Sequence, residues 1–91
     1  MAREHGIRFI PHGWNTAVGL AADLQLAAAS ADTDLVEYLT GSPFIDDIAV
    51  GGWKLDADGF LAIPSSPGLG LRLDWDVVAK YTGGQKLVGK L

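Results

Sequence analysis

Between Pro11 and Asp32 the chain carries a segment that is apolar almost all the way round, and this segment constrains the fold most. The run Thr16–Ser30 is rich in Ala and Leu, a composition that favours helix. Its clearly polar residues, Thr16, Asp23 and Ser30, are spaced by seven, so they form one narrow stripe, and Gln25 is the only other interruption. A helix apolar over most of its circumference is normally buried on several sides. Asn15 or Thr16 can cap it, because a short polar side chain accepts from the first free backbone N–H groups. With Asp23, Gln25 and Ser30 inside it, the segment is too short and too polar to cross a bilayer.

The flanks of this helix read as strands. Ile7–Ile10, Ile-Arg-Phe-Ile, is rich in β-branched and aromatic residues and is closed by Pro11-His12-Gly13. After a turn at Ala31–Asp34, the run Leu35–Leu39, Leu-Val-Glu-Tyr-Leu, reads the same way. Strand, helix and strand with short connections indicate an α/β arrangement with a parallel sheet. Such strands are usually covered on both faces. The chain has only 91 residues, whereas a complete TIM barrel takes roughly 200–250. A chain of this size buries only about 60–65% of its surface, so exposed apolar faces, marginal stability and self-association are expected.

The rest of the chain is punctuated by turns. Ala2–His5 suits one helical turn with Gly6 as the residue after it. Phe44–Val50 suits a short helix or turn, ended by Gly51-Gly52. Trp53–Leu55 and Phe60–Ile63 flank Asp56-Ala57-Asp58-Gly59, a hairpin signal. Pro64–Gly70 is a loop, and Gly70–Leu73 is extended. Asp74 can cap a last helix over Trp75–Tyr81, stopped by Gly83-Gly84, and Lys86–Leu91 reads as a frayed tail.

Charge and composition exclude several functions. The net charge is −4 and no Lys/Arg cluster occurs, which argues against nucleic acid and against an anionic membrane surface. There is no cysteine, hence no disulfide scaffold, no thiolate zinc site and no thiol nucleophile. Met-Ala-Arg-Glu-His-Gly lacks the pattern of a secretory signal, so a cytoplasmic location is expected.

Few residues can carry chemistry. His12 stands where a strand ends and a helix begins, the place at which parallel α/β folds build sites. Imidazole is the side chain whose unperturbed pKa lies nearest neutrality, as proton transfer requires. A turn histidine bonded to local backbone is the plainer alternative. Glu37 interrupts an apolar strand and shares a face with Leu35 and Leu39. Such a carboxylate must be paired, exposed at an edge, or directed into a polar site. Neighbouring parallel strands lie ~4.8 Å apart, so the βαβ reading presents His12 and Glu37 from adjacent strand ends. Trp14 and Asn15 could line a substrate pocket, or simply pack and cap. The Asp56-x-Asp58-Gly59 stretch lacks the remaining ligands of a calcium loop. Gly68-Leu69-Gly70 lacks the third glycine of a dinucleotide fingerprint.

Taken together, these stretches resemble a known family. Ile7–Ala29, with Pro-His-Gly-Trp-Asn at its centre, resembles the seventh strand and helix of mandelate racemase/muconate lactonizing enzyme-like members of the enolase superfamily. Val36-Glu37-Tyr38-Leu39 is similar to their eighth strand. Gly59–Pro64 followed by Pro67-Gly68-Leu69-Gly70 is similar to their C-terminal segment, which leaves the barrel for the capping domain. The resemblance runs from about Ala2 to Tyr81. It implies a C-terminal fragment of a TIM barrel: residues 1–50 are the final βαβ portion and 51–91 the return segment of the capping domain. It implies that His12 moves the proton next to a carboxylate and that Glu37 holds the substrate carboxylate. It implies an acid-sugar dehydratase, racemase or cycloisomerase using Mg²⁺, whose metal ligands lie on earlier strands and have no counterpart in this chain. The expectation is therefore a metal-dependent parent enzyme acting on a carboxylate-bearing sugar acid, and an isolated chain without that activity. Helix-end residues at the very start suit a truncated gene or an internal start. A different class remains open: a small interaction module that self-associates or docks through its apolar helix.

Overall fold

The computed structural model describes residues 1–83, so the tail expected at Lys86–Leu91 lies outside the described residues. The central element is helix α1, Ala17–Ala29. Thr16, not Asn15, caps it: its backbone is extended and its hydroxyl accepts from the Val18 N–H at 3.3 Å. At the other end the Ser30 N–H donates to the Ala27 carbonyl, and the Ser30 hydroxyl donates to the Leu26 carbonyl at 2.9 Å. Helix α2, Pro43–Asp46, begins with proline in its first turn, where a missing N–H costs nothing. Helix α3, Trp75–Lys80, is capped by Asp74, which accepts from the Asp76 and Val77 N–H groups. Before all of these, Arg3–His5 forms a single 3-10 turn, closed by Gly6 in the left-handed region at φ 63°.

The two expected strands are not formed. Ile7–Ile10 and Leu35–Leu39 form no helix, and there is no strand among the described residues. The physical reason is the absence of neighbours. Among the described residues, the backbone bond between the two segments is that of the Glu37 N–H to the Pro11 carbonyl, at 3.3 Å. Parallel strands need ladders on one side at least, and usually on both. Antiparallel contacts are confined to isolated bridges at Leu55–Leu61 and Ala49–Leu73. The first closes the turn foreseen at Asp56–Gly59, where the Asp56 N–H donates to the Phe60 carbonyl at 2.9 Å. The Asp56 carboxylate also accepts from the Asp58 and Phe60 N–H groups, which accounts for it without any cation. The second bridge joins Gly70–Leu73 to the stretch after α2, with Val50 N–H to Arg72 carbonyl and Asp74 N–H to Ile48 carbonyl.

The core is small and lies on one face of α1. Leu20 and Leu24 pack with Ile45, and Val36, Tyr38, Leu39, Trp53 and Leu61 close around them. Ala17 packs with Ile48 and Ala49 beneath Leu71, Leu73, Val77 and Val78. Trp53 touches both clusters and so ties the later segments to the helix. The expectation that α1 is buried on several sides does not hold within this chain. Ala17, Leu20, Ala21 and Leu24 are buried, while Val18, Ala22, Leu26 and Ala29, spaced along another face, are exposed. These two segments are bare as well, with Ile7, Phe9, Ile10 and Leu35 among the exposed large hydrophobics. No helix among the described residues is long and apolar enough to cross a membrane.

Candidate active site

The segments before and after α1 run side by side, and four side-chain contacts join them. Nearest the start, Arg3 Nε lies 3.0 Å from an Asp32 carboxylate oxygen. Arg8 then pairs with Asp34. The Thr33 hydroxyl donates to the Phe9 carbonyl at 3.2 Å. At the far end the Nδ1 of His12 is hydrogen-bonded to Oε2 of Glu37. The two residues singled out from the sequence are thus in contact, 25 positions apart in the chain.

Local structure explains the meeting. Pro11, the buried residue before His12, ends the first segment and offers its carbonyl to the Glu37 N–H. Val36, Tyr38 and Leu39 point into the core against Leu20 and Leu24, which leaves Glu37 on the outer side with His12. Both side chains are open to solvent, 72% exposed for His12 and 50% for Glu37. The pair is therefore reachable from solvent and not a sequestered ion pair. A carboxylate on one imidazole nitrogen orients the ring and leaves the other nitrogen, Nε2, free for proton transfer.

Trp14 and Asn15 sit differently. Trp14 is 75% exposed and forms no part of either core cluster. The Asn15 side chain folds back on the start of α1. A Cβ placed on Gly19 would come within 2.7 Å of the Asn15 Cβ, and one on Gly13 within 3.1 Å of its amide nitrogen. Gly19 is thus required for close approach, and Asn15 packs on the helix without capping it. Gly13 also borders the Asp23 carboxylate, 2.7 Å from the position of such a Cβ. No group of three or more His, Cys, Asp or Glu that could hold a metal ion occurs among the described residues.

The Arg8–Asp34 and Arg3–Asp32 pairs were not anticipated from the sequence. Arg8 holds the Asp34 carboxyl below its ordinary 3.8, chiefly through the side-chain hydrogen bond. The Tyr38 hydroxyl is pushed up from 10.0 by burial, with the Asp46 charge adding to the effect.

Residues 1–77 match the enolase C-terminal domain-like family, and the chain belongs to it. Among characterised proteins it is similar to a D-galactarolactone cycloisomerase of Agrobacterium fabrum, 35% identical over 91 residues. It is also similar to a D-galactonate dehydratase family member of Streptomyces bingchenggensis, 31% identical over 83 residues. Both comparisons cover 89% of this chain, but only 24% of the first relative and 20% of the second. The chain therefore spans about a quarter of the length of such enzymes or less.

Proposed function

We propose that the chain is the closing part of a TIM barrel in an acid-sugar dehydratase or cycloisomerase. Residues 1–50 belong to the barrel and 51–91 to the segment that returns to the capping domain. One observation carries this reading: the contact between His12 and Glu37, in a chain of the enolase C-terminal domain-like family.

The chemistry follows from the pair. The carbon next to a carboxylate loses its proton only to a positioned base, and His12 is that base, acting through Nε2. The proton it takes can be returned to a leaving hydroxyl, giving dehydration, or to another carbon, giving isomerisation. Glu37 fixes the imidazole while it is charged. A proton on the other carboxyl oxygen of Glu37, the one that does not meet His12, would be donated to a substrate carboxylate and stabilise the charge that develops there. Trp14, at the exposed turn after His12, supplies an apolar wall for the substrate, and Asn15 supports that turn from the helix.

Mg²⁺ is the usual electrophile of the superfamily, but the described residues provide no ligand set for it. Its ligands belong to other parts of the parent enzyme. The substrate is a sugar acid or its lactone, in keeping with the galactarolactone and galactonate in the relatives' names.

A second reading rests on the exposed apolar faces. Val18 and Leu26 on α1 are 40% and 48% exposed, which suits a module that self-associates or docks through this helix. One experiment separates the two. Residues 1–83 replace the matching segment of the galactarolactone cycloisomerase, and lactone isomerisation is followed. The enzymatic reading predicts turnover that is lost on His12→Asn. A folded, soluble graft with no turnover, or one indifferent to His12→Asn, favours the module.

A further inference from the structure

The Arg8–Asp34 ion pair does not touch His12 or Glu37, and neither member was foreseen as functional. We propose that it is a positioning element, tethering the segment that bears His12 to the one that bears Glu37. The inference rests on the reading of His12 and Glu37 as the working pair.

The two segments lack the usual means of holding register. A regular sheet fixes it with a ladder, but among the described residues the backbone bond between these segments is the one from Glu37 N–H to Pro11 carbonyl. Pro11 has no N–H with which to add a return bond. Core packing of Val36, Tyr38 and Leu39 holds the second segment against α1. The first segment is anchored only at its end, by the buried Pro11, since Ile7, Arg8, Phe9 and Ile10 are all exposed. Side chains must therefore do the aligning.

Of the cross-segment contacts, Arg8–Asp34 is the one suited to the task. Arg8 is four residues before His12 and Asp34 three before Glu37. At about 3.3 Å per residue, the ion pair lies ~10–13 Å along the segments from the acid–base pair. That is too far to touch a reacting atom and close enough to fix the segment that bears His12. The offset changes from 26 residues at Arg8–Asp34 to 25 at His12–Glu37, so the ion pair tethers the segment that bears His12 and does not set a regular strand register. Thr33 and Leu35, on either side of Asp34, cannot replace the carboxylate. The guanidinium fork adds direction, since it meets a carboxylate in a defined plane. Thr33, next to Asp34, reinforces the alignment through the Phe9 carbonyl. The lowered Asp34 carboxyl keeps the clamp charged through the neutral range. Arg3–Asp32 lies at the far end, between the 3-10 turn and the turn after α1, where it can bend without moving His12.

The test uses the full 91-residue chain labelled with ¹⁵N-histidine. The Nδ1 resonance of His12 reports the ratio of rings bonded to Glu37 over rings that are free. Glu37→Ala supplies the free limit, and His5 serves as the internal reference. An exposed ion pair shifts such a ratio by about 1.4- to 5-fold. Arg8→Gln and Asp34→Asn are each expected to lower it by that factor. The exchanged pair Arg8→Asp/Asp34→Arg is expected to restore it, and Arg3→Gln to leave it unchanged. A purely structural loss would not be rescued by exchanging the charges. All four sites are exposed, so α1 helicity by circular dichroism should stay constant. An unchanged ratio in both single variants overturns the proposal, as does an exchanged pair that stays low. If Glu37→Ala fails to move the wild-type resonance, the His12–Glu37 pair itself is refuted and the clamp falls with it. That outcome is distinct from a clamp that fails while the pair stands.

Discussion

Replacing Leu24 by Ala tests the claim that one face of α1 holds the site together. Leu24 is 2% exposed and meets Leu20 and Ile45, with Val36, Tyr38 and Leu39 packed against the same cluster. Truncation to Ala removes three carbons, a transfer loss of about 2.4 kcal/mol at ~0.8 kcal/mol per buried carbon. The cavity left behind raises this, and measured Leu→Ala costs run from roughly 2.7 to 5 kcal/mol. A domain of this length has about 5–14 kcal/mol of stability in all, and the bare apolar faces place this chain near the lower figure. Leu24→Ala should therefore remove half or more of it. Leu26 is the control, two residues along the same helix but 48% exposed. Its truncation leaves no cavity and should cost about 1 kcal/mol or less. Urea unfolding followed by helix dichroism and by tryptophan emission reads both, since Trp53 touches both core clusters. With a urea slope near ~1–1.5 kcal/mol per molar, the Leu24→Ala midpoint should fall by about 2 M. Equal midpoint shifts for the two variants would refute the assignment of the buried face.

Other outcomes follow from single contacts. Asp74→Ala removes the carboxylate that accepts from Asp76 and Val77 and should cost about 1 kcal/mol, measured by urea midpoint. Gly70→Ala should destabilise more than Gly68→Ala. Both have positive φ, near 70°, but only at Gly70 would the new Cβ collide with Pro64, at 2.3 Å. The Asp34 carboxyl is depressed below 3.8 by Arg8. Its contribution is therefore present above that value and lost as pH falls through the lower folded-state value. The acid limb of the stability curve should accordingly be shallower for Asp34→Asn, by a small amount because the pair is exposed. Tyr38 is raised above 10.0 by burial, so its contribution is present below that value. Stability should fall as pH rises further, and Tyr38→Phe should flatten that alkaline limb.

The helices and turns were legible in the sequence, because local chemistry decides them. The Ala/Leu run with a capping Thr16, Asp74 before Trp75, and Gly6 after His5 each act within a few residues. The strands were not realised, because a strand is a property of its neighbours. Ile7–Ile10 and Leu35–Leu39 have the right residues, yet here they face solvent where a sheet would continue. The same lack of neighbours explains α1, whose all-round apolar surface finds only one covering face in this chain. His12 and Glu37 meet as expected of neighbours across the short crossover, although the strands that were to present them did not form. Arg8–Asp34 was hidden because opposite charges 26 residues apart carry no local signature. Asn15 was read as a cap or pocket residue, but its place is set by the space that Gly19 leaves open.

The central claim is that His12 moves a proton on the carbon next to a carboxylate, with Glu37 beside it. The most direct measurement is solvent deuterium exchange at that carbon, followed by NMR on galactarolactone, with residues 1–83 grafted into the cycloisomerase relative. The account predicts exchange in the parent graft and its loss, by two orders of magnitude or more (on the order of a general base's contribution), in His12→Asn. Exchange that persists at the parent rate in a folded His12→Asn graft would contradict it.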